Sequence, residues 1–368
     1  MPSTPTRIVV LAQSGRLLAQ SARRAGWQPW VLDLYGDTDT QACSEYCRVV
    51  ADGRGGFDRQ RVLQELQRAA SAGAAGLVYG SDLECARDLL ADASAVLPLW
   101  GNSLDVLCCL KTPRRFFALL DHLGISYPPT RFEPPANHEG WLMKPACGAG
   151  GKGVAFLRAD SRWACGAYFQ RKIAGIPMSA LFLANGRQAC LVGFNELLAV
   201  DLDDRPYAFA GAHNRADLPR FWREKVGAWL QRLVPCVGLV GLNSLDFMFD
   251  GRDAWVLEVN PRPSATLALY DEDFPGGLLT AHRNAVEGGL PETVAPAAAR
   301  ALQVVYAPCR LVVPSGIDWP PGCADLPAAG TMPAAGQPLC SILVRADEQD
   351  LLRCLQQQVQ AVVGLCRA

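Results

Sequence analysis

The chain has no run approaching the roughly 18 uninterrupted apolar residues that a membrane span requires, and Met1 to Val10 lacks a basic stretch followed by a long apolar one. A soluble, unexported, cytoplasmic protein is therefore expected. Charge is scarce, at 19% of residues, and 35 Lys+Arg nearly balance 36 Asp+Glu, leaving a net charge of −1. That balance argues against a disordered chain, a nucleic-acid-coating protein or a polyacidic tail. Histidine is rarer still, with only His122, His138, His213 and His282. None of the 14 cysteines falls in a Cys-x-x-Cys pair, so a zinc framework is disfavoured and reduced, mostly buried thiols are expected. What is plentiful is apolar residue, 50% over 368 positions, which is enough for two or three domains with substantial cores.

The first hundred residues alternate apolar runs with amphipathic stretches: Ile8 to Ala12, a helix from Ser14 to Gly26, then Trp30 to Leu34. That grammar predicts a Rossmann-like α/β domain over 1–108. Its first turn, Ala12-Gln13-Ser14-Gly15-Arg16, lacks the three glycines of a dinucleotide fingerprint, so a nicotinamide-binding domain is disfavoured. Ser14 and Asp58 read as helix N-caps, and Thr112-Pro113 opens a helix that Gly124 ends.

From Gly140 to about Asn260 the pattern becomes short strands with tight turns. Asn185-Gly186 between two apolar runs predicts a hairpin, and one helix, roughly Leu218 to Val234, presents Phe221, Val226, Trp229, Leu230 and Leu233 on one face. A Pro/Ala linker (Leu290 to Ala299) precedes a small β-rich cap over 300–368 with a terminal helix.

Two strands between Leu242 and Pro263 sort their residues by parity. Leu245, Phe247, Phe249, Trp255, Leu257 and Val259 are large and apolar, whereas Ser244, Asp246, Glu258 and Asn260 form the other face. For the apolar rows to coincide, paired numbers must sum to an even value, which demands an odd loop or a bulge near Asp250-Gly251-Arg252. That register sets Asp246 against Glu258. Two carboxylates about 4 Å apart repel by roughly 4 kcal/mol at an effective dielectric of about 20, unless a cation lies between them. With Asn260 they make an oxygen donor set suited to Mg²⁺, and a functionless solvated face is the competing reading.

The second feature is Trp141-Leu-Met-Lys144-Pro145 followed by a loop containing Gly148, Gly150, Gly151, Lys152 and Gly153. Such a loop exposes backbone N–H groups to phosphate oxygens, with Lys144, and Lys152 as a second candidate, supplying charge. No Gly-Lys-Ser/Thr follows, so it is not a Walker loop. Taken alone, the loop reads as a mobile surface hairpin.

With both features in order, the segment Lys111 to Pro263 resembles the ATP-grasp superfamily, whose domain is expected over 109–292 as a two-subdomain core. The resemblance implies ATP with Mg²⁺, two ions or Mn²⁺ as variants, and assigns Lys111 and Lys144 to the phosphates. It assigns Asp246, Glu258 and Asn260 to metal, and Gln170, Arg171, Lys172 and Ile173 to the nucleotide-base linker. Gln170 stands where Glu is common, and no acid appears near Gly175 to Ser179 for the ribose. Arg262, in Glu-Val-Asn-Pro-Arg, is the expected carboxylate and acyl-phosphate holder, with Lys144 also catalytic. His213, Asn214, Arg215, Thr266 and Tyr270 are weaker acceptor-pocket candidates.

The activity implied is a carboxylate–amine ligase joining small acid and amine substrates, with homo-oligomers compatible and coenzyme synthesis a candidate role. The Asn-Pro-Arg-Pro-Ser-Ala-Thr run is similar to a branch that includes a tyramine–glutamate ligase. The alternatives are a carboxyaminoimidazole ribonucleotide synthase-like bicarbonate-phosphorylating enzyme and a non-catalytic nucleotide-binding scaffold.

Overall fold

Apolar runs bracketed by amphipathic helices build a parallel sheet at the start of the computed structural model, which describes residues 6–148, 150–163, 165–202, 205–295 and 297–365. In chain order these are β1 (Arg7–Leu11), α1 (Arg16–Arg24), β2 (Gln28–Asp33), α2 (Thr38–Cys43), β3 (Tyr46–Val49), α3 (Arg59–Ser71) and β4 (Leu77–Tyr79). The strands lie in the order β3-β2-β1-β4, so the carboxyl ends of β1 and β4 flank a topological switch point, the usual place for a binding crevice. Asp58 caps α3 as expected, its carboxylate accepting from the Arg61 amide. Ser14 does not cap α1. Gly15 holds that position, and the Ser14 hydroxyl donates instead to Asp325, 3.0 Å away in the C-terminal region.

Helices α4 (Arg87–Val96), α5 (Leu104–Leu110) and α6 (Pro113–His122) lead into a small sheet of β5 (Thr130–Arg131), β6 (Trp141–Lys144), β7 (Ala155–Phe156) and β8 (Tyr168–Arg171), ordered β5-β8-β6-β7. The large sheet follows: β9 (Ile176–Asn185), β10 (Ala189–Leu202), β11 (Arg205–His213), α7 (Arg220–Val237), β12 (Val240–Phe249) and β13 (Ala254–Asn260). Asn185-Gly186 makes the β9–β10 hairpin, with the Asn185 side chain accepting from the amides of Arg187 and Gln188. On α7, Trp222, Val226, Trp229, Leu230 and Leu233 are buried, but Phe221 is 64% exposed because Trp222 takes the core-facing position.

After α8 (Leu278–Val286), the chain adds β14 (Arg300–Tyr306), β15 (Cys323–Ala324), β16 (Pro338–Arg345) and α9 (Leu351–Leu365). These strands continue the large sheet, whose order is β13-β12-β9-β10-β11-β14-β16-β15. Gly211, at φ +151°, permits the junction, since a Cβ there would lie 2.0 Å from the Leu302 carbonyl oxygen of β14. One face of the large sheet packs on α6 and α7 through Phe182, Leu245 and Phe247. The other packs on α1, β1 and α8 through Leu181, Leu183 and Leu242. The architecture is mixed α/β, and no helix among the described residues is long and apolar enough to cross a membrane.

Candidate active site

The polar face forms where β12 and β13 pair. Ser244 faces Asn260, Leu245 faces Val259 and Asp246 faces Glu258, all with even sums. The shift comes immediately afterwards, as a bulge between Asp246 and Phe247 that pairs Phe247 with Val256 and lets the strands close on a short turn. The bulge reverses parity beyond it. Ala254 and Val256 enter the core, while Trp255 and Leu257, expected there, are only half-buried.

Pairing continues the polar row across the sheet, from Asp246 to Ser179 and from Ser179 to Asn195. Asn195 donates to Ser179 (3.1 Å) and accepts from the Tyr270 hydroxyl (2.7 Å). Ser179 and Asn195 were not foreseen, although their parity with Asp246 follows once the strands are paired. Thr266 bonds only locally, to Ser264 at 2.8 Å. His213 pairs with Glu196, one residue out of phase, and so lies on the opposite face from Asn195 and Asp246. Asn214 and Arg215 tie down the linker instead, donating to the carbonyls of Ala298 (2.7 Å) and Ala297 (2.8 Å). These three residues are therefore not gathered with the polar face.

Lys111, just past α5, extends its ammonium to Glu258 (2.8 Å) and Asn260 (3.0 Å). The Asn260 amide donates in turn to Asp246 at 2.9 Å. Burial, and then the charge of Glu258, push the Asp246 carboxyl up to about 7. Desolvation opposes ionisation of Glu258 too, yet Lys111, Lys144 and Arg262 outweigh it and hold that carboxyl below its ordinary value. Among the described residues no cluster of three or more His, Cys, Asp or Glu exists that could hold a metal. The donor set is two carboxylates and an amide oxygen, and two of its members already share a cation, the Lys111 ammonium. Hard oxygen donors at this geometry fit a small divalent ion.

Lys144 ends β6 and donates to Gln170 at 2.6 Å, while Gln170 donates to Thr130 at 3.0 Å. Gln170 thus links Thr130 to Lys144, whose amine burial pushes down to about 8. The Lys172 ammonium lies 5.1 Å from the Phe156 ring centroid, and Arg171 turns away to the Glu139 carbonyl (2.7 Å). Ile173 is half-buried beside them. Gly150 and Gly151 meet β11: the Phe209 amide donates to the Gly150 carbonyl at 3.4 Å, and a Cβ on Gly151 would lie 2.0 Å from the Tyr207 carbonyl oxygen. Gly148, Lys152 and Gly153 are exposed on this loop.

Arg262 is buried and donates through Nε to Glu84 at 3.0 Å. Glu84 is fully buried in the turn after β4, so the N-terminal sheet supplies one wall of the site. Sequence reasoning missed Glu84, because no local pattern connects positions 178 residues apart. It also missed the disulfide Cys85–Cys147, which corrects the expectation of reduced cysteines throughout. Both contacts depend on the docking of distant segments.

A parallel α/β domain, a small sheet and a large antiparallel sheet meet at a lysine- and carboxylate-lined cleft. The protein matches, over residues 114–266, a family model described as an ATP-grasp domain. Its fold is similar to that of an L-amino acid ligase from Bacillus licheniformis, at 13% identity, covering 97% of both chains with a TM-score of 0.74. It is also similar to an N5-carboxyaminoimidazole ribonucleotide synthetase from Thermus thermophilus, at 17% identity, covering 96% of this chain and 97% of that one with a TM-score of 0.68. A third similar structure is the biotin carboxylase domain of Hydrogenobacter thermophilus 2-oxoglutarate carboxylase, in complex with MgADP, ADP and bicarbonate. There the identity is 12%, the coverage 92% of this chain and 86% of that one, and the TM-score 0.71. Comparison with curated protein sequences finds no match.

Proposed function

We propose that the protein is an ATP-dependent carboxylate–amine ligase acting through an acyl-phosphate. The observation that carries this reading is the convergence of Arg262 with Asp246 and Glu258, beside Lys111 and Lys144, at the meeting of three sheets. Asp246, Glu258 and Asn260 would hold Mg²⁺, which when bound supplies neutralising charge to the β- and γ-phosphates. MgADP in the similar biotin carboxylase domain supports ATP as the nucleotide.

Lys144, held by Gln170, and Lys111 place ammonium charge where phosphate oxygens gain charge. Loop amides from Gly148 to Gly153 cover the phosphates and exclude water. Gln170 to Ile173 border the base. Arg262, oriented by Glu84, grips the substrate carboxylate so that its oxygen attacks the γ-phosphorus in line and ADP leaves. The amine then displaces phosphate from the acyl-phosphate. This route needs no side-chain nucleophile.

The test is an ATP-consumption screen over acid and amine pairs, with products read by mass spectrometry. Glu258→Gln is expected to abolish turnover, a loss of at least ~100-fold. Retained turnover would overturn the site assignment. Stimulation by bicarbonate with an aminoimidazole nucleotide would favour the synthetase-like alternative, and nucleotide binding without any stimulated phosphate release would favour a scaffold.

A further inference from the structure

We propose that Cys85 and Cys147 are a redox modification site that latches the glycine-rich loop: oxidation by a small disulfide fixes the loop across the phosphate end of the cleft. This rests on the reading of that loop as the phosphate cover. The disulfide joins the turn after β4 to the residue immediately preceding Gly148. It is the one disulfide among the described residues, while Cys165, Cys236 and Cys309 remain exposed thiols. A chain stapled for permanently oxidising surroundings pairs its exposed cysteines, and a single bonded pair at a moving part fits a switch better.

The loop's two attachments differ in kind. On the β11 side it is held by the 3.4 Å bond from Phe209 to Gly150, near the outer limit for a hydrogen bond, so thermal motion can release it. On the other side the Cys85–Cys147 bond does not release thermally. Lys152 of the loop faces the same turn, its charge acting on Asp82. With the bond closed, the loop cannot lift from the cleft, and nucleotide entry and product release slow together. With the bond open, only weak contacts hold it down.

The sulfurs are reachable. Cys85 is exposed, and Cys147 lines a cavity of about 380 Å³ with Met143, Pro145, Trp163 and the exposed Cys165. Oxidation proceeds by exchange. The thiolate of one cysteine attacks the disulfide reagent and expels one thiol, and the other cysteine then attacks the mixed disulfide and expels the second. Two protein thiols become one disulfide, and the reagent accepts their two electrons and two protons as two thiols.

The experiment uses the full chain equilibrated with oxidised glutathione or with dithiothreitol, the Cys85–Cys147 bond being verified by peptide mass spectrometry. A fluorescent ATP analogue with Mg²⁺ is followed by stopped flow, and amide hydrogen exchange is read over residues 145–156. Oxidation is expected to slow analogue dissociation by about tenfold or more and to protect the loop, with dithiothreitol reversing both. Cys85→Ser and Cys147→Ser should each behave as the reduced protein in either buffer. Equal dissociation rates and equal loop protection in the two states would overturn the latch. Absence of analogue binding in both states would sink the nucleotide reading instead, and loop protection alone would then decide the latch: protection confined to the oxidised form supports it, and equal protection refutes it.

Discussion

Replacing Glu84 with Gln isolates the contribution of one buried charge to the shape of the cleft. Glu84 has no exposed surface, and one of its oxygens accepts from Arg262 at 3.0 Å while the other is buried without a partner. Glutamine preserves the volume and one acceptor but removes the negative charge, and places an amide donor where no acceptor waits. Breaking a buried ion pair from one side typically costs about 3–5 kcal/mol. Asp246 and Glu258 still act on the guanidinium, so the low end applies, roughly 3 kcal/mol for Glu84→Gln and about 4 for Glu84→Ala. In a chain of this size that lowers the melting midpoint by roughly 4–5 °C, readable by differential scanning fluorimetry. In the ligase assay, Arg262 would lose its aim, raising KM for the acid more than KM for ATP. A Glu84→Gln protein that melts within about 1 °C of the parent, with KM for the acid unchanged, would refute the positioning argument.

Two further outcomes depend on acidity. Lys144 must carry its proton to meet a phosphate, and burial sets that proton to leave at about 8, so nucleotide affinity should fall as pH rises through 8. Isothermal titration from pH 6.5 upward checks this, and Lys144→Arg should flatten the profile; flat affinity in the parent protein up to about pH 9 would contradict it. His282 is buried, with Nδ1 accepting from the Leu242 amide at 2.8 Å and Nε2 against the Trp100 carbonyl at 2.7 Å, an arrangement of the neutral ring. Burial drives it down from 6.5 to about 4, so its contribution is complete above pH 6.5 and disappears as pH falls towards 4. The total is roughly 3 kcal/mol. Thermal melts across that window should show a steeper loss in the parent than in His282→Gln, and parallel curves would count against the assignment.

The division between what was legible and what was not follows the range of the interactions. Parity along β12 and β13 placed Asp246 opposite Glu258, because alternation is local and a hydrophobic face tolerates no slip. The same rule misled at Trp255 and Leu257, since the odd step expected near Asp250-Gly251-Arg252 falls instead between Asp246 and Phe247. His213 looked adjacent to the site, but a single step along β11 puts it behind the sheet. Helix starts at Asp58 and Pro113 were readable from their caps, whereas Ser14 was drawn away by Asp325, a partner 311 residues distant. Glu84, Cys85 and the continuation of the large sheet into β14 required segments to meet that no spacing rule connects.

That continuation makes the final seventy residues part of the frame. Cutting the chain ahead of β14 would strip β11 of a neighbour and leave its unpaired amides and carbonyls open to any passing strand. The cut would also remove Asp325, leaving the buried guanidinium of Arg16 with only the more distant Asp39 carboxylate, 3.5 Å away. A shortened protein would thus be prone to stick to itself.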